Sequence, residues 1–421
     1  MLTDVSKVTM LVVDHGSFVS LAQRLGEDCA KVYYCPFSTG SYPTMHDELI
    51  GYGLDGIEVV NNPWEVLEKI DVAVFPDVYC GPMQVHFAEK LQIPVWGSRM
   101  GERLEIDRVY CKELMAKLGL PVGPYDVIKG VTALREYIKD NPDVHVKMSR
   151  YRGDWETKHF DSYFLAKNEL DKLEQRLGVL SEITVFVCEK SLEGKIEFGR
   201  DNYSVDGKYP KKALLGIEVK DLGYAGMVKD DDDLPEYVHR FDTAIEPTLK
   251  RLKFRGNEST EIRMGRDKVP FMIDFCARLA NPPSSLYMEQ YKNMPEIILA
   301  GAQGELKEPD VAAKWGVEAI IYSDTAMEDD PVSVEFPKNL AQFIKFRNLV
   351  KVNGHYQVIP TRFHWPQIGS VIGMGNTLKA AEEMAEEIAG EVRGKVKIHT
   401  ESFGNAQEEI DKAKELGLDI F

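Results

Sequence analysis

Three short stretches carry the residue types that could hold an anion and a cation together. Lys147 ends the apolar run Val144-His145-Val146 and precedes Ser149-Arg150-Tyr151-Arg152-Gly153-Asp154-Trp155. An ammonium at a strand end, ahead of a glycine-containing loop, is a point charge that can be aimed at phosphate oxygens. Arg150, Arg152 and Lys158 add positive charge to a loop with one glycine, a poor cradle by itself. A surface lysine with a buried stem is the competing explanation. The second stretch is Phe186-Val187-Cys188-Glu189-Lys190. A strand edge there would offer backbone N–H and C=O to a purine, and Glu189 could accept from ribose hydroxyls. An acidic strand end is also common without any ligand. The third sets Glu261 against Asp274, thirteen residues on, in Asp274-Phe275-Cys276-Ala277-Arg278. Carboxylates on adjacent antiparallel strands can share a hard cation, and Arg278 adds a fork for phosphate or carboxylate. A structural ion-pair cluster with Arg263 and Arg278 would use the same residues.

Regular elements must position these groups. Val8–Val13, Lys31–Tyr34, Ile57–Val60 and Val72–Phe75 read as apolar strands, with helical patterns at Phe18–Leu25, Pro63–Lys69 and Met83–Leu91. Strands without alternation, separated by helices, predict a parallel sheet covered on both faces. Ligands bind such sheets beyond the carboxyl ends of the strands, here near Asp14-His15-Gly16-Ser17 and Pro76-Asp77-Val78-Tyr79. A helix is predicted over Arg108–Leu118, strands over Val144–Lys147 and Ile183–Cys188, and a helix over Lys167–Leu177. Lys208 to Asp233 reads as turn-rich and ends in a solvated acidic run, before a long helix over Tyr237–Leu252. Glu258–Arg263 and Phe271–Phe275 read as two strands framing a turn, and an Ala/Glu-rich helix begins at Thr377.

Composition narrows the partners. The chain has 421 residues, with 51 Lys+Arg against 68 Asp+Glu and a net charge of −17. That length calls for two or three domains, since single cores stop growing near roughly 250–300 residues. The acidity argues against nucleic acid and anionic membranes, whose binding depends on Lys and Arg neutralising phosphates. Six cysteines, none in a C-x-x-C pair, give neither a zinc ribbon nor a small disulfide framework. With no apolar stretch near 18 residues and no signal-like start, the expectation is a soluble cytoplasmic protein.

Taken in order, these segments resemble the ATP-grasp superfamily, most closely the phosphoribosylamine–glycine ligases. Arg108-Val109-Tyr110-Cys111-Lys112-Glu113-Leu114-Met115, then Gly119-Leu120-Pro121-Val122, is similar to that family's S-K-x-x-x-K-x-x-M…G-I-P-T. Val146-Lys147 resembles its V-K strand, Cys188 through Gly194 its E-E-F-L-x-G, and Phe254-Arg255-Gly256 its Y-x-G. Phe271 through Arg278 looks like its V-I-E-F-N-x-R, and Gly373 through Ala381 like its closing G-x-T-L-x-E-A. The likeness thus spans nearly the whole chain.

The resemblance implies an α/β protein of three parts. These are an N-terminal parallel α/β domain over 1–105, a two-lobed ATP-grasp domain over 106–305 with its small lobe at about 121–188, and a mixed C-terminal α/β domain over 306–421. It also implies ATP-dependent joining of a small-molecule carboxylate to an amine through an acyl phosphate, with Mg²⁺, in a monomer or homodimer. Lys112 and Lys147 would hold the triphosphate, with Arg150, Arg152 and Lys158 adding charge. Cys188 and Glu189 would contact the adenosine, and Glu197 stands near the family's glutamate after the glycine turn. Glu261 and Asp274 would hold Mg²⁺, and Arg278 would orient the acyl phosphate. In so acidic a chain, Lys112, Lys147, Arg150, Arg152, Lys158 and Arg278 are expected to form a local basic pocket.

The departures sharpen the expectation. Asp107-Arg108 stands where the family has Ser-Lys, and Ser149–Lys158 replaces its glycine-rich phosphate loop. Asp274 replaces a glutamate, and Cys276 replaces a metal-binding asparagine with a thiol, a poor ligand for magnesium. Glu197 comes one residue later than the family's pattern, and Asp14-His15-Gly16-Ser17-Phe18 replaces the segment used for the amine substrate. A different amine is therefore expected. A nucleotide-binding protein without turnover and a small-molecule kinase of the same fold remain alternatives, with an unrelated scaffold behind them.

Overall fold

A computed structural model describes residues 2–37, 47–150, 155–192, 194–219, 222–265, 267–328, 330–360, 366–400, 402–418 and 420–421. The chain divides into two compact units. Unit one is made of Met1–Glu102, Phe198–Ser259 and Cys276–Phe421, and unit two of Arg103–Glu197 and Thr260–Phe275.

In unit one, the first hundred residues form the parallel sheet expected from their apolar runs. Its strands lie in the order Glu58–Val59, Lys31–Pro36, Thr9–Asp14, Val72–Val74, Val95–Trp96, all parallel. Val and Ile-type side chains on both faces suit a sheet whose crossovers cover both faces. Leu11, Val13, Tyr33, Cys35, Ala73 and Phe87 are buried in one of its cores. The sheet brings Asp14 and Asp77 to the carboxyl ends of their strands.

A larger antiparallel array follows in the order Gly194–Val205, Lys212–Val219, Gly223–Asp230, Trp315–Tyr322, Gln367–Gly375, Ile344–Phe346. Here the turn-rich reading of 208–233 is corrected: two strands of eight residues occupy most of it. Its glycines mark close packing instead of turns. Gly216 lies opposite Gly226, and a Cβ at Gly216 would come 2.0 Å from the Tyr224 ring. The glycines leave room for Tyr224, whose hydroxyl donates to Asp201 Oδ2 at 2.5 Å.

The same array buries a charged group. Arg200 donates to Glu258 Oε1 and, at 2.7 Å, to Asp242 Oδ2. Burial pushes the carboxyls of Asp242 and Glu258 up, to about 6 and about 7, against the pull of Arg200.

Unit two is built on an antiparallel sheet in the order Tyr125–Lys129, Val185–Lys190, Val144–Met148, Thr157–Phe160. Helices Val131–Asp140 and Tyr163–Leu177 close a core with Val144, Val146, Phe160, Phe186 and Cys188. Helix Arg108–Lys117 begins at Asp107, whose side chain accepts from the Tyr110 N–H at 3.1 Å. Thr260–Phe275 contributes parts of two neighbouring strands, Arg255–Gly265 and Pro270–Cys276. Among the described residues no helix is long and apolar enough to cross a membrane.

The Arg200 cluster predicts a pH dependence with a definite sign. Carboxyls raised in the folded state bind protons more tightly there than in the unfolded chain. Their contribution is complete below about pH 4 and is lost as pH rises through about 6 to 7. Thermal melts across that range should show wild-type stability declining with pH, and Glu258→Gln should flatten the decline.

Candidate functional site

The site in unit two starts from strand alternation. Val146 lies opposite Cys188 and His145 opposite Glu189. Because side chains alternate across a sheet, Val144, Val146, Phe186 and Cys188 enter the core while Lys147 and Glu189 share the other face. Lys147 is diagonal to Glu189, a separation that a long side chain spans. Its Nζ lies 3.1 Å from Glu189 Oε1 and 3.5 Å from Asp274 Oδ2, and donates to the Ile273 carbonyl at 3.1 Å.

Helix Arg108–Lys117 brings the second ammonium. Lys112 Nζ donates to Glu189 Oε2 at 2.9 Å and to the same Ile273 carbonyl at 3.0 Å. Lys112, Lys147 and Glu189 are 5%, 6% and 7% exposed, so the two ammoniums share one carboxylate away from bulk water. One helical turn before Lys112, on the same face, stands Arg108. Its Nη1 sits astride Asp274, 3.0 Å from Oδ1 and 2.7 Å from Oδ2, and its Nη2 donates to Glu156 Oε1 at 2.9 Å.

The protonation states follow. Burial raises the Asp274 and Glu189 carboxyls, but nearby cations outweigh it and hold both below the usual carboxylate range. For Asp274 those cations are first Arg108 and then Lys147; for Glu189 they are Lys147 and Lys112. Burial lowers both ammoniums. Lys147 ends above its ordinary value because Asp274 and Glu189 outweigh burial. Lys112 ends below its own, since Lys147 adds repulsion.

The other residues singled out by sequence fall as follows. Lys158, on the adjoining strand, pairs with Glu169 at 3.0 Å. Arg150 is exposed, with a left-handed backbone at φ 62°. Arg152 lies outside the described residues. Glu197 is gripped by Arg263, whose Nε is 3.0 Å from Oε2. Glu261 is half-buried on the strand beside that of Asp274 and adds to the field at Lys147. Cys188 is buried in the core, where burial pushes its thiol up to about 12. Its strand is flanked on both sides, so the free edge expected at Cys188 is absent there.

In unit one, Arg278 Nε is 3.7 Å from Asp77 Oδ1, and its Nη1 donates to the Leu279 carbonyl at 2.8 Å. Asp14 Oδ2 accepts from the N–H groups of Gly16 and Phe18 and from the Tyr34 hydroxyl, at 3.1, 2.8 and 2.9 Å. Burial, and then the charge of Asp77, push its carboxyl up. Asp14 Oδ1 is buried without a hydrogen-bond partner among the described residues.

Magnesium was expected on Glu261 and Asp274. The donor set does not offer Asp274 to it, because Arg108 Nη1 covers both oxygens and Lys147 stands beside one of them. Among the described residues, the group with metal-ligand spacing is Asp143, His159 and Asp161, at the surface, and it includes neither. Arg108 is the member that sequence reasoning passed over as a departure from Ser-Lys. The signal was available in its spacing of four from Lys112 on a helix.

The shared carboxylate predicts a cost for its loss. Glu189→Gln leaves Lys112 on backbone carbonyls and Lys147 with Asp274 as its remaining carboxylate, and should destabilise by ~3–5 kcal/mol, as removal of one member of a buried ion pair does. Denaturant unfolding checks this; an unchanged midpoint would mean that the carboxylate is not what holds the two charges.

No family model matches the sequence, and no curated protein matches it. Solved structures do match over nearly the full length. Phosphoribosylamine–glycine ligase from Thermotoga maritima is similar at 18% identity and a TM-score of 0.69, covering 93% of this chain and 99% of that one. Biotin carboxylase from Campylobacter jejuni, in a β,γ-ATP complex, is similar at 14% and 0.64, covering 96% of each chain. The biotin carboxylase domain of 2-oxoglutarate carboxylase from Hydrogenobacter thermophilus, in complex with MgADP, ADP and bicarbonate, is similar at 12% and 0.65, covering 98% of each. At such identities the likeness is one of architecture, and the architecture agrees with the motif order read from the sequence: the chain has the ATP-grasp fold.

Proposed function

We propose that this chain binds ATP at the Lys112–Lys147 cluster of unit two and uses it to join a small-molecule carboxylate to an amine. The observation that carries the reading is the cluster itself. Two ammoniums on different elements converge on one buried carboxylate, and the fold is shared with a phosphoribosylamine–glycine ligase and with a biotin carboxylase bound to MgADP. Buried ammoniums held this way have their positions fixed before charge develops, so phosphoryl oxygens would take over contacts that Glu189 holds at rest.

In this reading a substrate carboxylate oxygen attacks the γ-phosphorus and ADP leaves. The amine then attacks the acyl carbon, the C–O bond to the phosphate breaks, and the departing phosphate takes up the proton that the nitrogen sheds. Lys147 and Lys112 stabilise the charge of the transferring group, and Glu189 sets their positions. No step is routed through magnesium, because Asp274 is held by Arg108. A second reading, nucleotide binding without turnover, is favoured by the same grip of Arg108 on Asp274.

Lys147→Ala should abolish the thermal shift that ATP induces in the wild type; an unchanged shift would remove Lys147 from the nucleotide site. Release of ADP and phosphate that requires both a carboxylate and an amine separates the ligase from the non-catalytic reading. A stable phosphorylated product formed without amine would instead mark a kinase.

A further inference from the structure

We propose that Arg108 is a built-in counter-cation: its guanidinium takes the place on Asp274 that a chelated divalent cation would take, so nucleotide binds with little dependence on metal. This rests on the nucleotide reading above and adds to it which cation accompanies the phosphates.

The geometry is that of a chelate. Nη1 stands 3.0 and 2.7 Å from the two oxygens of Asp274, the bridging position of a cation bound to both. The second guanidinium nitrogen is fixed by Glu156 at 2.9 Å, so the group is held at both ends. Arg108 is nearly buried, and its chain position at the first turn of helix Arg108–Lys117 orients it with Lys112. A magnesium ion needs oxygen ligands at about 2.0–2.1 Å in near-octahedral array. Here Lys147 Nζ already stands 3.5 Å from Oδ2, so a divalent ion on Asp274 would meet two fixed cations. The sequence points the same way. Two residues after Asp274 comes Cys276, whose thiol is unsuited to a hard ion. A guanidinium cannot lose its proton near neutral pH, so this counter-charge is permanent.

The test uses the full chain, with ADP as ligand and Mn²⁺ as the metal probe. Calorimetric ADP affinity in the wild type should change by less than about threefold between chelator and Mg²⁺, well under one charge-assisted contact. Arg108→Gln should weaken metal-free ADP binding by about tenfold or more, with Mg²⁺ restoring it. Electron paramagnetic resonance should then find Mn²⁺ bound to Arg108→Gln with ADP and not to the wild type with ADP. Should Arg108→Gln fail to fold, Arg108→Met keeps an unbranched stem but removes the charge, and it should admit Mn²⁺ in the same way. A wild type whose ADP affinity rises tenfold or more with Mg²⁺, with that ratio unchanged in the variant, overturns the counter-cation. So does Mn²⁺ on the wild-type ADP complex. Absence of ADP binding with and without metal overturns the nucleotide reading itself, and the counter-cation with it.

Discussion

Two ammonium groups share one buried carboxylate, and unit two is arranged around that sharing. Taking a charge out of water costs several kcal/mol unless partners surround it. Glu189 gives one oxygen to Lys112 and the other to Lys147, and the Ile273 carbonyl accepts from both. Three separate elements must therefore agree. Strand alternation turns Lys147 and Glu189 to one face, helix periodicity stacks Arg108 over Lys112, and the strand Pro270–Cys276 supplies both a carbonyl and Asp274. A slip of one residue in either strand would send Lys147 or Glu189 into the apolar core.

The sheet of the first hundred residues was legible because its signal is simple. Thr9–Asp14 and Lys31–Pro36 are runs of apolar residues between helical patterns, and nothing else buries such runs so economically. The order of motifs pointed to Lys147, Glu189 and Asp274, and the fold gathers them, but as ion-pair partners of one another, of Lys112 and of Arg108. The strands Lys212–Val219 and Gly223–Asp230 were not. Their glycines answer to Tyr224, a neighbour in space that no local window contains. Arg108 was hidden for a related reason. Its partners Asp274 and Glu156 lie 166 and 48 residues away, so its role exists only in the folded chain.

Of the six residues expected to form a basic pocket, Lys112 and Lys147 stand together, in unit two, and their charge is compensated. Arg108, Lys112 and Lys147 each face a carboxylate, so the resting site stores its positive charge in ion pairs. Under the proposed function, specificity for an anion would come from exchange: a phosphate would have to match the geometry of the carboxylates it displaces. Such a site discriminates by shape as well as by charge, because an anion that fits poorly leaves buried ammoniums unpaired. The acidity of the whole chain is no obstacle, since the field that matters is set within a few ångströms.

Unit two is discontinuous in the sequence, and its charges are consequently completed in an order set by synthesis. Arg108, Lys112, Lys147 and Glu189 all precede the excursion into unit one, whereas Glu261 and Asp274 follow it. With Asp274 85 residues beyond Glu189, a ribosome adding about 5–20 residues per second leaves an interval of roughly 4–17 s. During it Glu189 is one carboxylate for two ammoniums, and Arg108 has Glu156 but still lacks Asp274. The sheet of unit two, complete by Lys190, thus has to persist with an incomplete charge balance until the strand Pro270–Cys276 arrives.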